Sequence, residues 1–312
     1  MANVIAAAQP ERGSAAPASA ARARTGRAGP RPGGERVWWR HLIGLAALAF
    51  ALFPIVFLLS AALNPVGTLS TTTLLPRGLS LHNFSALLSD PDTPYLHWYA
   101  NTLVICGLSA ILNVLIGACG AFAFSRLRFR GRRAGLITVL LVQMFPNFIA
   151  IVALYLVFIQ IGSVLPAAGL NTSVGLILVY LGGAMGVNTW LLKGYLDTIP
   201  RSLDESALID GATSGQIFLR VTLPLAAPML VVVGLFSFVA NINEILLANV
   251  FLTDTSHKTL AIGLLGLVSG EHNTDYGEFA AGSLLAGLPV VVIFLYLQKY
   301  LVKGLTAGAV KG

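Results

Sequence analysis

The stretch WYANTLVICGLSAILNVLIGACGAFAF, Trp98–Phe124, decides the fold class. It runs for 27 residues without an Asp, Glu, Lys or Arg. A helix of about 20 mostly apolar residues is long enough to cross the ~30 Å hydrocarbon layer of a membrane. That layer has no water to satisfy a bare backbone, so a single spanning segment must bond to itself as a helix. The chain continues as SRLRFRGRR, with Arg126, Arg128, Arg130, Arg132 and Arg133 packed into a few residues. An uncharged span ending in clustered guanidinium groups marks the cytoplasmic end of a transmembrane helix.

Five more runs of this kind flank it: Leu42–Leu63, Ala134–Ile161, Val174–Leu192, Leu223–Val250 and Phe279–Tyr300. Pro54, Pro146 and Pro289 fall inside runs, where each is expected to kink its helix. Leu260–Val268 is apolar but covers only nine residues, so it is expected to lie at the outer surface. Whole-chain composition agrees: of 312 residues 56% are hydrophobic and 11% charged. A soluble domain carries about 25% charged residues. The fold class is therefore an all-α membrane protein of about six transmembrane helices.

Eighteen of the twenty Lys and Arg residues fall on one side of this arrangement, in the N-terminal tail, Arg126–Arg133, Lys193–Thr222 and the C-terminal end. Only Arg77 and Lys258 fall on the other side. The positive-inside rule then places both termini in the cytoplasm of a multi-pass protein of the cytoplasmic (inner) membrane. Net charge is +7, yet its confinement to one membrane face argues for lipid and not nucleic acid as the neighbour. Residues 1–40 read as a disordered basic cytoplasmic tail, being rich in Ala, Arg, Pro and Gly and poor in large aliphatic side chains. The apolar run after it is too long for the core of a signal peptide. Residues 41–301 form the transmembrane domain, and 302–312 a second cytoplasmic tail.

Most enzyme chemistry is excluded by what the spans carry. Cys106 and Cys119 share one helix, about 20 Å apart, too far for a disulfide, and read as packing residues. The five histidines show no metal-ligand spacing, and no Gly-Lys pair exists to form a phosphate-binding loop. Glu244 is the one acidic residue inside a span; it either reaches water at the interface or lines a pathway. No catalytic, metal or cofactor site is expected. Gly182 and Gly186 have the small-xxx-small spacing of a helix contact. Phe145, Tyr155, Tyr180, Trp190 and Tyr195 read as packing residues or interface anchors.

One cytoplasmic loop, KGYLDTIPRSLDESALIDGATSGQIFLRVT (193–222), is more than a connector. Pro200 stops the incoming helix. Ser202 and Glu205 have capping-box spacing for a short helix through Ile209. Gly211 is placed to take positive φ, and Thr213 with Gln216 forms a second capping box for a helix through Phe218 and Val221. Ile217 and Phe218 are expected to be exposed and in need of a covering surface.

Glu205-Ser206-Ala207, Asp210-Gly211-Ala212, Phe218, Leu223-Pro224 and Pro228 resemble the EAA loop of ABC importer permeases. The segments QMFPNFIAIVALYLVF, GLNTSVGLILVYLGG and GEFAAGSLLAGLPVVVIFLYLQKYLVKGLTAGAVKG extend the likeness, over roughly Trp98–Gly312, to the maltose/maltodextrin permease family of the MalG type. Ser206 departs from the usual alanine but is still small. The resemblance implies a type I ABC importer permease fold working by alternating access. It also implies a second permease, two ATP-binding subunits that hydrolyse the ATP, and an extracellular or periplasmic sugar-binding protein. Glu205, Ser206, Ala207, Asp210, Gly211, Ala212 and Phe218 would then dock on an ATP-binding subunit. Thr253, Asp254, Thr255, Ser256 and His257 would touch the binding protein, and the tail Gly304–Gly312 would meet the ATPase. The sugar itself stays open between maltodextrins and another glucoside such as trehalose. An ion-coupled carrier would leave the EAA-like loop without a purpose.

Overall fold

The computed structural model describes residues 38–65, 78–144, 147–183, 185–269 and 275–309, with backbone alone at 147–148 and 300–309. Most of the expected N-terminal tail lies outside the described residues, as do Phe145, Pro146, Arg77 and the last three residues. The chain divides into two compact units, residues 1–50 and 51–312. The described part of the first is the start of helix α1 (Trp38–Leu63), whose side chains from Trp38 to Phe50 are all exposed.

The second unit continues with the end of α1, then α2 (His82–Ser89), α3 (Tyr95–Arg126), α4 (Arg132–Gln143), α5 (Asn147–Val164), α6 (Ser173–Leu181) and α7 (Val187–Thr198). There follow α8 (Ser202–Ile209), α9 (Ser214–Ile217), α10 (Leu223–Ile242), α11 (Leu246–Phe251), α12 (Leu260–Ser269) and α13 (Tyr276–Ala309). The described residues contain no strand, so the all-α class holds. Among the described residues four helical stretches are long and apolar enough to cross a membrane: Trp38–Leu63, Tyr95–Arg126, Ser214–Ile242 and Tyr276–Lys299. α1 and α13 run on through Pro54 and Pro289.

Three of the expected continuous spans are instead helix pairs. The third run breaks between α4 and α5, the fourth at Gly182–Gly186 between α6 and α7, and the fifth at Asn243–Ile245 between α10 and α11. Gly182 and Gly186 therefore do not form one continuous helix face: the first caps the end of α6 and the second precedes α7. The stretch expected at the outer surface folds as α12, ten residues or about 15 Å of helix, too short to span. It packs against α3 and α13, with Gly263 so close to Trp98 that a Cβ would overlap the indole.

α3 is the centre of the second unit because one side of it is built from small residues. Ser109, Ala110, Gly117, Ala118, Gly120 and Ala121 let neighbouring backbones approach. A Cβ on Gly120 would sit 3.2 Å from Thr189 of α7. Around α3, one apolar cluster joins Ala118, Ala121 and Phe122 to Leu192, Leu196, Ile217 and Val233. Another joins Ile105 to Phe158, Leu176, Tyr180, Phe251 and Ile262. The stretch between the first two apolar runs contains α2, whose buried Asn83 donates to the carbonyls of Ala62 and Asn64 at 2.9 Å. Those are orphan acceptors at the end of α1, so the amide serves as a C-terminal cap.

Candidate functional site

The loop between α7 and α10 folds as a helix, a turn and a second helix. Gly211 has φ +81°, the left-handed conformation it was expected to adopt. The turn is a full Schellman motif: Gly211 N–H donates to Leu208 O at 3.0 Å, and Ala212 N–H to Ala207 O at 2.9 Å. Thr213 and Gln216 form the expected capping box, Gln216 N–H reaching Thr213 Oγ1 at 3.3 Å and Thr213 N–H reaching Gln216 Oε1 at 2.8 Å. The first box does not form. Arg201 is already helical (φ −68°, ψ −21°) and stands at the cap position, which places Ser202 inside the first turn. A cap oxygen reaches the next free N–H groups only from a non-helical residue, so neither Ser202 nor Glu205 caps α8.

α9 passes through one wide π-type turn, Phe218–Thr222, straight into α10. Residues Ser214–Ile242 thus make one 29-residue helix, not a separate loop helix followed by a span. Ile217 is 4% exposed and Phe218 half-buried, its ring 5.1 Å from that of Phe122 on α3. The apolar residues expected to await a covering surface are covered by this chain itself. Exposed in their place are Leu203, Leu208 and Ile209, the last at 87% exposure, a patch that sequence reasoning missed. The signal was present as two adjacent apolar residues just before the glycine turn. Glu205, Ser206, Asp210 and Gly211 are exposed beside this patch, whereas Ala207 and Ala212 are half-buried. A cleft of about 310 Å³ is lined by Ala207, Asp210, Gly211, Ala212, Gln216, Arg220 and Val221.

Polar bonds hold α8 to the rest of the unit. Arg126 Nε lies 2.8 Å from Asp204 Oδ2, with both side chains nearly buried. The N–H does not point along that line, so the contact is coulombic, without a linear hydrogen bond. Arg126 also donates to Ile199 O at 2.9 Å, and Arg201 to Ser125 O at 3.0 Å. Ser125 Oγ donates to Asp197 at 2.6 Å, and Lys193 Nζ to the same carboxylate at 2.5 Å. Partial burial would raise the Asp197 carboxyl, but Lys193 and Ser125 hold it below the ordinary carboxylate range.

The Thr253–His257 segment is a second ordered loop. Asn171, at φ +56°, accepts through Oδ1 from Thr253 N–H (2.6 Å), Thr253 Oγ1 (3.0 Å) and Asp254 N–H (3.1 Å). Trp98 Nε1 donates to Thr255 O at 2.7 Å, and Asn101 Nδ2 to Ser256 O at 2.9 Å. The backbone is pinned while the side chains from Thr253 to His257 are all exposed. The holding residues lie far away in sequence, and no local pattern marks them.

Between the broken helices lies a cavity of about 520 Å³. Gln143, Gly182, Gly183, Asn241 and Glu244, all at or beside the breaks, contribute to its lining. Gln143 Nε2 donates to Gly183 O at 3.3 Å, linking two of the interruptions. Glu244 accepts Leu247 N–H and Ala248 N–H at 2.9 Å each, which starts α11, and the Tyr180 hydroxyl at 3.2 Å. Glu244 thus lines a cavity between helices. Among the described residues no group of three His, Cys, Asp or Glu side chains is placed to hold a metal.

An all-helical membrane chain with an ordered helix–turn–helix loop feeding a long helix beside a polar cavity has the build of an importer permease. Residues 113–307 match the family described as binding-protein-dependent transport system inner membrane component, and the chain belongs to that family. More narrowly, it falls with the MalG-type permeases. It is 38% identical over 288 residues to the maltose/maltodextrin transport system permease protein MalG of Vibrio vulnificus, covering 89% of this chain and 96% of that one. To the MalG of Escherichia coli K12 it is 38% identical over 294 residues, 91% of this chain and 98% of the relative. Relatives of this kind are transport components rather than enzymes. The fold is shared with a chain of a bacterial ABC transporter involved in the import of the acidic polysaccharide alginate. That likeness has a TM-score of 0.68 at 24% identity, over 85% of this chain and 95% of the other. A second structure of an alginate transporter, in complex with its pentasaccharide-bound periplasmic protein, gives 0.60 at 17% identity.

Proposed function

We propose that this chain is one permease subunit of an ATP-driven importer of maltose/maltodextrin-type sugars. It pairs with a second permease, carries two ATP-binding subunits on the cytoplasmic face and receives sugar from a binding protein outside. Both termini are cytoplasmic, in keeping with eighteen of twenty basic residues on one side.

The observation that carries this reading is the unbroken helix Ser214–Ile242. At about 1.5 Å per residue it is a rod of about 43 Å. One end is the capped start of α9, beside the exposed Glu205–Gly211 surface; the other carries Ser237, Ala240 and Asn241 into the cavity lining. ATP binding closes the ATPase pair, the docked loop moves, and the rod carries that displacement to the cavity. A stiff helix transmits motion because bending it strains its hydrogen bonds, and the two cavity states differ by what the docking contacts supply. Thr253–His257, with a fixed backbone and exposed side chains, is the surface offered to the binding protein.

The test is reconstitution of the four-subunit complex in liposomes with its binding protein, followed by uptake of labelled maltotriose and trehalose. ATP-dependent maltodextrin uptake is expected. Uptake driven by an ion gradient without ATP would overturn the reading.

A further inference from the structure

We propose that Asn113, Asn188, Ser237 and Asn241 form a sugar-binding subsite on this chain, inside the broken-helix cavity, for an uncharged, hydroxyl-rich ligand. The inference rests on the permease reading and adds to it the residues that hold the cargo in transit.

Three observations converge on the cavity. The first is its position: Gly182 and Gly183 at one helix break and Glu244 at another line it, joined by Gln143, the last residue of α4. Non-helical backbone at membrane depth persists only where it is buried in protein or faces a hydrated cavity. The second is unmet bonding capacity. Asn113 is 4% exposed, yet its Oδ1 has no hydrogen-bond partner, and neither has the buried Nδ2 of Asn241. Asn113 and Asn241, each with one unpaired carboxamide atom, both belong to the lining, beside Asn188, whose Nδ2 donates to Ser237 Oγ at 3.0 Å. Buried polar groups without partners are costly, and they mark where something else supplies the bond.

The third observation is charge. Among the described lining residues Glu244 is the one carboxylate, and both its oxygens are occupied by Leu247 N–H, Ala248 N–H and the Tyr180 hydroxyl. Among the described residues no Lys or Arg lines the cavity. A cation would meet a carboxylate already engaged, and an anion would meet no positive group. Carboxamides donate and accept at once, as the paired lone pairs and O–H groups of a sugar require. Phe236, 61% exposed, adds an apolar face against which the C–H side of a pyranose ring packs. The volume, about 520 Å³, is within the range of about 300–1,000 Å³ typical of small-molecule sites.

The experiment uses the reconstituted complex with Asn188→Ala and Asn241→Ala, singly and together, so that buried Asn113 stays intact. The complex is expected to assemble as the parent does, while sugar uptake in the double variant falls at least ten-fold. In a Cys106→Ser, Cys119→Ser background, Asn241→Cys is expected to react with a membrane-impermeant thiol reagent, and millimolar maltotriose to slow labelling. Uptake unchanged in the double variant overturns the proposal. So does parallel loss of assembly and hydrolysis, which would make the amides contacts to the second permease. The parent complex separates this from failure of the wider reading. Import of a different neutral glycoside by the parent leaves the subsite standing and discards maltodextrin, whereas preferred import of a charged uronide removes the subsite itself.

Discussion

Arg126, in the last turn of α3, meets Asp204 of α8 at 2.8 Å, with side-chain exposures of 7% and 14%. This ion pair joins the loop proposed to receive the ATPase stroke to the central helix of the unit. Removing one partner of a buried pair leaves an uncompensated charge and costs about 3–5 kcal/mol where burial is complete.

Asp204→Ala is therefore expected to loosen α8 without preventing membrane insertion, because the spans do not depend on it. Binding-protein-stimulated hydrolysis should fall several-fold, and Arg126→Asp with Asp204→Arg should recover part of it. Hydrolysis measured on the two single variants and the exchange variant gives the coupling directly. A wild-type rate in Asp204→Ala would mean that the pair does not position the loop.

Gly211 offers a cleaner separation of strain from crowding. No heavy atom lies within 4 Å of the position its Cβ would take, so a side chain there meets only the left-handed φ of +81°. That conformation costs a residue with a Cβ about 1–2 kcal/mol. Gly211→Val should insert and assemble but lose most sugar uptake, while Gly211→Asn, which tolerates the same φ, should keep it. Equal uptake in the two variants would show that the turn does not transmit motion.

Asn171 is expected to govern the response to the binding protein. Its side-chain oxygen accepts three bonds from Thr253 and Asp254. At about 1 kcal/mol net for each hydrogen bond, Asn171→Ala frees the loop by a few kcal/mol. Basal hydrolysis in the complex should stay unchanged while stimulation by the loaded binding protein weakens at least three-fold. Titrating the binding protein against hydrolysis reads both quantities in one experiment.

Topology makes an independent prediction. Reporter fusions at residue 40 and at the C-terminus should both report cytoplasm, as the distribution of Lys and Arg requires. An exported C-terminus would make the number of crossings odd.

Some of this protein was determined by its sequence alone, and those parts share one physical character: each rests on residues near one another in the chain. Apolar runs made the membrane class legible, because a backbone in lipid has few solutions. Gly211 announced its turn, and Thr213 with Gln216 announced its cap, because both act through backbone groups one to five residues away. The Ser202 box failed although its spacing was correct. Spacing cannot report whether the preceding residue is already helical, and Arg201 is.

Only the tertiary structure decided where the spans break and what those breaks serve. Hydropathy averages over a window, so Gly182–Gly186 and Asn243–Ile245 disappear among apolar neighbours. Their freed polar groups are answered from elsewhere, by Gln143 toward Gly183 and by Tyr180 toward Glu244. Phe122 covers Phe218, and Asn171 holds Thr253, through contacts between residues distant in sequence. A backbone bond within one helix is set by local geometry. A cavity is set by how several helices fail to fill the space between them, which no single helix encodes.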